Sequence, residues 1–247
     1  MILPGDRHLD WDGCCNVRDL GGLRTTDGRE IRWGAVVRAD ALDRLSEAGW
    51  RALQAHGIRT VVDLRNEDER APEVAPRPAG IETVHLPLDG IEDTEFWDRW
   101  TGGPQFGTPL YYGPFLDRFP QRVASVITAV ARARPGGVAV HCGIGRDRTG
   151  LITLLLLAVA GVAPEDIAAD YALSSARVRI LLARLGENDH VPEVEDFLTR
   201  RGTSAGEIIV STLAALDVET YLREGGVTDD DLAALRARLL APPGGSR

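Results

Sequence analysis

The stretch Val138-Ala139-Val140-His141-Cys142-Gly143-Ile144-Gly145-Arg146-Asp147-Arg148-Thr149-Gly150 decides the reading of the 247-residue chain. Its first three residues form a short apolar run after Pro135-Gly136-Gly137, the pattern of a buried strand. Gly143 and Gly145 let the backbone curl without Cβ clashes. From near Thr149 the chain is apolar: Leu151 to Ala163 reads as a buried helix, shorter than the roughly 18 residues a membrane span needs. A turn between a strand and a helix N-terminus aims successive N–H groups into one cup, and the helix end adds partial positive charge. Such a cup suits a dianionic phosphate.

Outward from this stretch, strands and helices alternate. A helix starts after Ser46 as N-cap, carries Trp50 and Leu53 on one face and stops at Gly57. The β-branched run Ile58 to Leu64 predicts a buried strand, and Thr83 to Leu86 a second one ended by Pro87. Val123, Val126, Ile127 and Val130 give helical spacing over 121–133. This pattern predicts one α/β domain over residues 1–240, with a central, mostly parallel sheet flanked by helices and functional residues where strands end. Two regions fit poorly. Residues 91–120 hold Trp97, Trp100, Phe106, Tyr111, Tyr112 and Phe115 among glycines and prolines, and 172–212 mix apolar and charged residues. Either is a candidate helical lid, the alternative being aromatics that only tie a loop to the core. Thr228 and Asp231 resemble a capping box ahead of Leu232, Leu235 and Leu239, and residues 241–247 read as a disordered tail.

All 28 basic residues are arginine, and the formal charge is −9. The lack of lysine excludes Schiff-base chemistry and the lysine of a P-loop ATPase. The acidic excess argues against nucleic acid as partner, although a local basic pocket is compatible with it. Three cysteines are too few for a disulfide scaffold and lack zinc-ligand spacing; Cys14 and Cys15 are expected as a small buried pair. The first ten residues have neither the basic start nor the apolar run of a signal peptide, so a cytoplasmic protein without an integral membrane segment is expected, leaderless export being compatible.

Cys142 at the bottom of the cup would be a thiolate nucleophile favoured by the N–H groups and the helix end. Arg148, one turn into the helix, can return its planar fork to two phosphate oxygens, and Thr149 can donate a hydrogen bond to the sulfur. Strand alternation points His141 away from the cup, where it would fix the loop rather than carry protons. A structural cysteine in a glycine turn, or a rhodanese-like sulfur carrier, would also place a cysteine here. The arginine six residues on, followed by threonine, favours phosphate.

His141-Cys142, five residues, Arg148 and Thr149 match the signature of the protein tyrosine phosphatases. More narrowly, the sequence resembles the bacterial atypical tyrosine and lipid phosphatases of the mycobacterial type. The likeness extends to Asn16-Val17-Arg18-Asp19-Leu20-Gly21-Gly22, Val37-Arg38 with Leu42, Asp63-Leu64-Arg65, Ala169-Asp170-Tyr171 and Tyr221-Leu222-Arg223, and so spans most of residues 15–240. The resemblance implies a phosphatase-type fold and metal-independent, cofactor-free hydrolysis of phosphate monoesters through a cysteinyl phosphate. It implies a substrate-binding loop of Gly143, Ile144, Gly145, Arg146 and Asp147, and as partner a phosphotyrosine protein or a phosphorylated lipid or small molecule. In that group a lysine commonly stands where this chain has Arg146, and it is associated with phosphoinositide substrates; here a more rigid fork replaces it. Asp89, after a strand end, is the expected general acid by the same resemblance, with Asp63 and Asp147 as rivals. Asp63 could instead brace Arg18 or the loop. Arg18, Asp19 and Arg38 could hold the loop, meet substrate or lie on the surface, and Tyr111 or Tyr112 could stack on a substrate ring. A phosphate-binding module without turnover is the reading from a different class.

Overall fold

The computed structural model describes residues 7–241. Strands β1 (Arg18–Asp19), β2 (Val36–Ala39), β3 (Ile58–Asp63), β4 (Glu82–His85) and β5 (Gly137–His141) form one sheet in the order β1-β2-β5-β3-β4. β1 is antiparallel to β2, and the other pairings are parallel. Burial on both faces explains the apolar run Val138-Ala139-Val140 of β5 and Val61-Val62 of β3, as expected of parallel strands covered by helices, while Arg59 of β3 is exposed. Side chains still alternate. Val138 and Val140 enter a core with Val123 and Ile127 of α4 (Pro120–Arg132) and Leu151 and Leu155 of α5 (Asp147–Ala160), whereas Ala139 enters a second core with Trp50 and Leu53 of α1 (Glu47–Ala55).

Local signals set the helix ends. The Ser46 side chain accepts from Gly49 N at the start of α1, and Gly161, with φ +86°, ends α5 in the left-handed region. α5 is apolar nearly all round because the sheet and other helices enclose it. The capping box of Thr228 and Asp231 opens α10 (Asp229–Leu239), and Asp231 also accepts from Arg132 Nε of α4 at 2.7 Å.

Residues 172–212 are more regular than the sequence pattern implies. They fall in α6 (Pro164–Leu185), α7 (Val191–Arg200) and α8 (Ala205–Ala214) apart from the short connections 186–190 and 201–204. Ile180 and Leu185 of α6 are exposed, which breaks the apolar periodicity on which a helix is recognised. Residues 91–120 form α2 (Thr94–Trp97), 3-10 turns at 104–107 and 109–111, and α3 (Tyr112–Arg118). Phe96, Trp97, Tyr111 and Phe115 meet largely edge to face and tie this segment into the main core. Tyr111 and Tyr112 are buried there, so neither ring is presented for stacking on a substrate. α9 (Val218–Glu224) completes the helices described. Of the expected tail, 242–247 lie outside the described residues, and Ala241 N donates to Glu30 O at 3.1 Å. No helix among the described residues is long and apolar enough to cross a membrane.

Candidate active site

The C-terminal ends of four parallel strands deliver the candidate residues to one edge of the sheet. β2 runs into 40–44, β3 into 64–69, β4 toward Asp89, and β5 into the loop 142–146 that precedes α5.

The loop is held from outside by its carbonyls. Gly143 O accepts from Ala41 N at 3.2 Å and Arg44 Nη2 at 3.1 Å, Ile144 O from Asn16 Nδ2 at 2.9 Å, and Gly145 O from Arg38 Nη2 at 3.0 Å. Gly145 adopts φ +70°, and a Cβ there would lie 2.6 Å from Ala39 O, so only glycine fits. With the carbonyls turned outward, the N–H groups of Gly143, Ile144, Gly145 and Arg146 have no hydrogen-bond partner among the described residues. α5 has no side-chain N-cap, so its first-turn N–H groups add to the same set.

Beneath this loop lies a buried ionic cluster. Asp170 of α6 accepts from Arg18 Nε at 3.1 Å and Nη2 at 3.0 Å, from Arg38 Nη1 at 2.9 Å, and pairs with Arg7 at 2.8 Å. Burial alone would raise this carboxyl, but the three arginines hold it well below the usual aspartate range. Burial, with the nearby charge of Arg38, brings Arg18 down to about 10 despite Asp170. Arg38 braces the loop directly and Arg18 through Asn16, and burial removes the surface-pair reading of Arg18 and Asp19. Asp19 accepts from Gly21 N and Gly34 N, both at 2.7 Å, and meets His56 Nε2 at 2.6 Å.

Asp63 does not brace Arg18. It takes Arg65 on both oxygens, at 3.0 and 2.9 Å, and lies 3.6 Å from His141 Nε2. Burial opposes ionisation of Asp63, yet Arg65 and His141 hold its carboxyl below the usual range. Burial pulls His141 down to about 4, so its ring is neutral near pH 7; its Nδ1 lies 3.3 Å from Cys142 O.

Cys142 is 2% exposed, at the end of β5. The Thr149 hydroxyl is buried with no hydrogen-bond partner among the described residues. Arg148 Nη1 donates to Asp89 Oδ2 at 3.0 Å, and Asn66 Nδ2 donates to the same oxygen at 3.0 Å. Burial raises the Asp89 carboxyl; Glu69 and Asp147 push the same way, and Arg148 and Asn66 oppose them. Arg148 and Asp89 are thus together, whereas the Arg146 side chain is turned aside. Its Nε donates to Asp147 Oδ1 at 3.2 Å and its Nη2 to Gly107 O at 3.2 Å. Tyr171 Oη donates to the same Asp147 oxygen at 3.2 Å, and Tyr112 Oη donates to Asp147 O at 2.8 Å. Ile144 packs against Val178, Leu182 and Val191, which joins the loop to α6 and α7. A cavity of about 490 Å³ between α6, α7 and α8 borders Arg146.

Cys14 and Cys15 are half-buried free thiols rather than a buried pair; the Cys15 and Asn16 N–H groups instead donate to the buried Asp40. Glu69, Asn66, Asp40 and Arg44 were missed by sequence reasoning. Asn66 and Glu69 form a capping box that marks a turn and nothing more, and only the fold brings these residues to their partners, 23 positions away for Asn66 and Asp89 and 99 for Arg44 and Gly143.

Residues 9–241 match the sequence profile described as the tyrosine phosphatase family. A Cupriavidus necator protein assigned by name to the tyrosine-protein phosphatases is 32% identical, over 97% of this chain and 90% of its own length. The triple specificity protein phosphatase PtpB of Mycobacterium tuberculosis is 28% identical over 92% of this chain and 97% of its own, and a tyrosine-protein phosphatase of Nostoc commune 34% over 57% and 48%. A profile match over nearly the whole chain, carried by a sheet whose strand ends converge on the His141-Cys142 loop, identifies this chain as a member of the tyrosine phosphatase family.

Proposed function

We propose that this phosphatase hydrolyses phosphate monoesters, phosphotyrosine in protein first among them, through a cysteinyl phosphate on Cys142. The observation that carries the reading is the run of N–H groups from Gly143 to Arg146 without a partner among the described residues, continued by the uncapped start of α5. Those donors match the three non-bridging oxygens of a transferring phosphoryl group. The Cys142 thiolate attacks phosphorus, the bond from phosphorus to the ester oxygen breaks, and the leaving oxygen takes a proton from Asp89. Water then attacks phosphorus, the sulfur–phosphorus bond breaks, and the Asp89 carboxylate accepts the proton released by water.

Arg148 is the phosphate clamp, and Gly143, Ile144, Gly145 and Arg146 supply the cup. The raised Asp89 carboxyl suits a general acid beside the loop, whereas Asp63 is paired with Arg65 and Asp147 with Arg146. The Thr149 hydroxyl, without a partner among the described residues, supports a hydrogen bond to the sulfur as it leaves, since a buried hydroxyl left unpaired costs about 1–3 kcal/mol. Residues 1–240 act as one domain, working in the cytoplasm. The turn at 104–107 and α7, which pack together beside Arg146, serve as its cover.

A second reading is a phosphoinositide or other small-molecule phosphatase, which the triple specificity in the name of the M. tuberculosis relative favours. Arg146 would reach a second phosphate only after releasing Gly107 and Asp147. Vanadate-sensitive hydrolysis of an aryl phosphate by the wild type, lost in Cys142→Ser, is the expected result. Binding of phosphate analogues without turnover by pure reduced enzyme would instead identify a binding module.

A further inference from the structure

Another cavity, of about 630 Å³, opens at the end of the sheet opposite Cys142. Its walls are residues 33–35 ahead of β2, 56–57 ahead of β3, 135–137 at the start of β5, and the last turns of α10. Trp33 is half-buried there, with its indole on two glycines: a Cβ on Gly21 would stand 2.9 Å from Cδ2, and one on Gly22 2.8 Å from Cζ2. His56, in the same wall, is held by Asp19.

Two arginines border this cavity and bond only to carbonyls. Arg32 Nη2 donates to Ala237 O and Leu240 O, each at 2.9 Å, whereas its Nε and Nη1 have no hydrogen-bond partner among the described residues. Arg238 Nη1 donates to Gly136 O at 2.7 Å and Nη2 to Ala133 O, while its Nε is buried without a partner among the described residues. Neither guanidinium forms an ion pair among the described residues, in a chain with 37 acidic side chains. Burial, and then the charge of Arg32, lower the Arg238 guanidinium from its ordinary value. Carbonyl dipoles occupy N–H directions but leave both charges without a counter-ion, so an anion placed between them gains from each.

We propose that this cavity is a binding site for a small aromatic carboxylate, separate from the catalytic loop. The carboxylate takes the open N–H groups of Arg32 and the charge of Arg238, and the ring lies against Trp33, Pro135 and Ala237. Few donors are left over, which suits the two oxygens of a carboxylate better than the three of a phosphate monoester. The volume falls in the range of about 300–1,000 Å³ of small-molecule pockets.

The alternative is that both arginines only cap carbonyls at the end of α10 and at the Pro135 turn. Loss of either would then lower stability without touching any ligand, so binding is the readout. The probe is 2-naphthoate, titrated calorimetrically into the full chain with and without vanadate. One saturable site per chain is expected, unaffected by vanadate and about tenfold weaker in Arg32→Met and in Arg238→Met. Arg51→Met, which removes an exposed arginine of α1 paired with Glu47, should bind like the wild type. Arg32 is exposed, so Arg32→Met decides if Arg238→Met fails to fold. Absence of saturable binding, wild-type affinity in Arg32→Met, equal weakening in Arg51→Met, or displacement by vanadate would each overturn the proposal.

Discussion

Replacing Asp170 by asparagine keeps the shape of the side chain and removes the one carboxylate shared by Arg7, Arg18 and Arg38. Three guanidinium groups would then face one another under the loop. Arg18, which burial and the charge of Arg38 already bring down to about 10, would lose the anion that holds it up. Removing one partner of a buried ion pair costs about 3–5 kcal/mol, which in a chain of this length lowers Tm by about 6–20 °C. The pH dependence follows from the depressed Asp170 carboxyl. Its contribution is complete above the ordinary aspartate pKa of about 4 and is lost as pH falls from there toward its folded value. Urea unfolding at pH 7 should therefore show a lower midpoint with an unchanged slope, and the gap between wild type and Asp170→Asn should narrow only below about pH 4. Because Arg38 also holds Gly145 O, phosphate binding should weaken at temperatures where the variant is still folded. A difference in unfolding free energy below about 1 kcal/mol at pH 7 would refute the view that this cluster supports the loop.

Other predictions address single parts of the site. Gly145→Ala puts a Cβ against Ala39 O at positive φ; it should cost more than about 1 kcal/mol in urea unfolding and abolish phosphate binding, and near-normal binding would remove the steric argument. His141 has a folded pKa of about 4 against about 6.5 when unfolded, so the unfolded chain binds the extra proton between those values. Stability should fall by on the order of 3 kcal/mol as pH drops from about 6.5 to 4, and this part of the loss should vanish in His141→Asn. Asp89→Asn should slow hydrolysis of alkyl phosphates far more than of nitrophenyl phosphate; equal slowing would take Asp89 out of the acid role. Arg146→Lys should retain aryl phosphate hydrolysis, and its complete loss would show that the fork on Asp147 and Gly107 O is required for the chemistry.

Much of the fold is legible locally because its signals are local. Ser46 with Gly49, Thr228 with Asp231, and the β-branched run after Gly57 each settle an element within a few residues. The Cys142 loop is legible for the same reason, its glycines and its arginine being close together in the chain. Its supports are not. Asn16 Nδ2 reaches Ile144 O across 128 positions, and Arg148 reaches Glu69 across 79. The spacing from Asn66 marks Glu69 as a capping-box acid, but nothing in it points to Arg148 until the sheet brings β3 beside β5. Arg146 is instructive in another way, since the sequence places it in the loop but cannot show that Asp147 and Gly107 O turn its guanidinium away from the cup. Asp170 stands in a recognisable segment, yet its tie to three arginines exists only after α6 has packed under the loop.

Trapping the intermediate tests the central claim most directly. Wild-type enzyme quenched with acid during hydrolysis of labelled aryl phosphate should carry label on Cys142 alone, located by peptide mass spectrometry, and Cys142→Ser should neither turn over nor acquire label on any cysteine. Steady turnover by Cys142→Ser, or label on Cys14 or Cys15 in place of Cys142, would contradict the account.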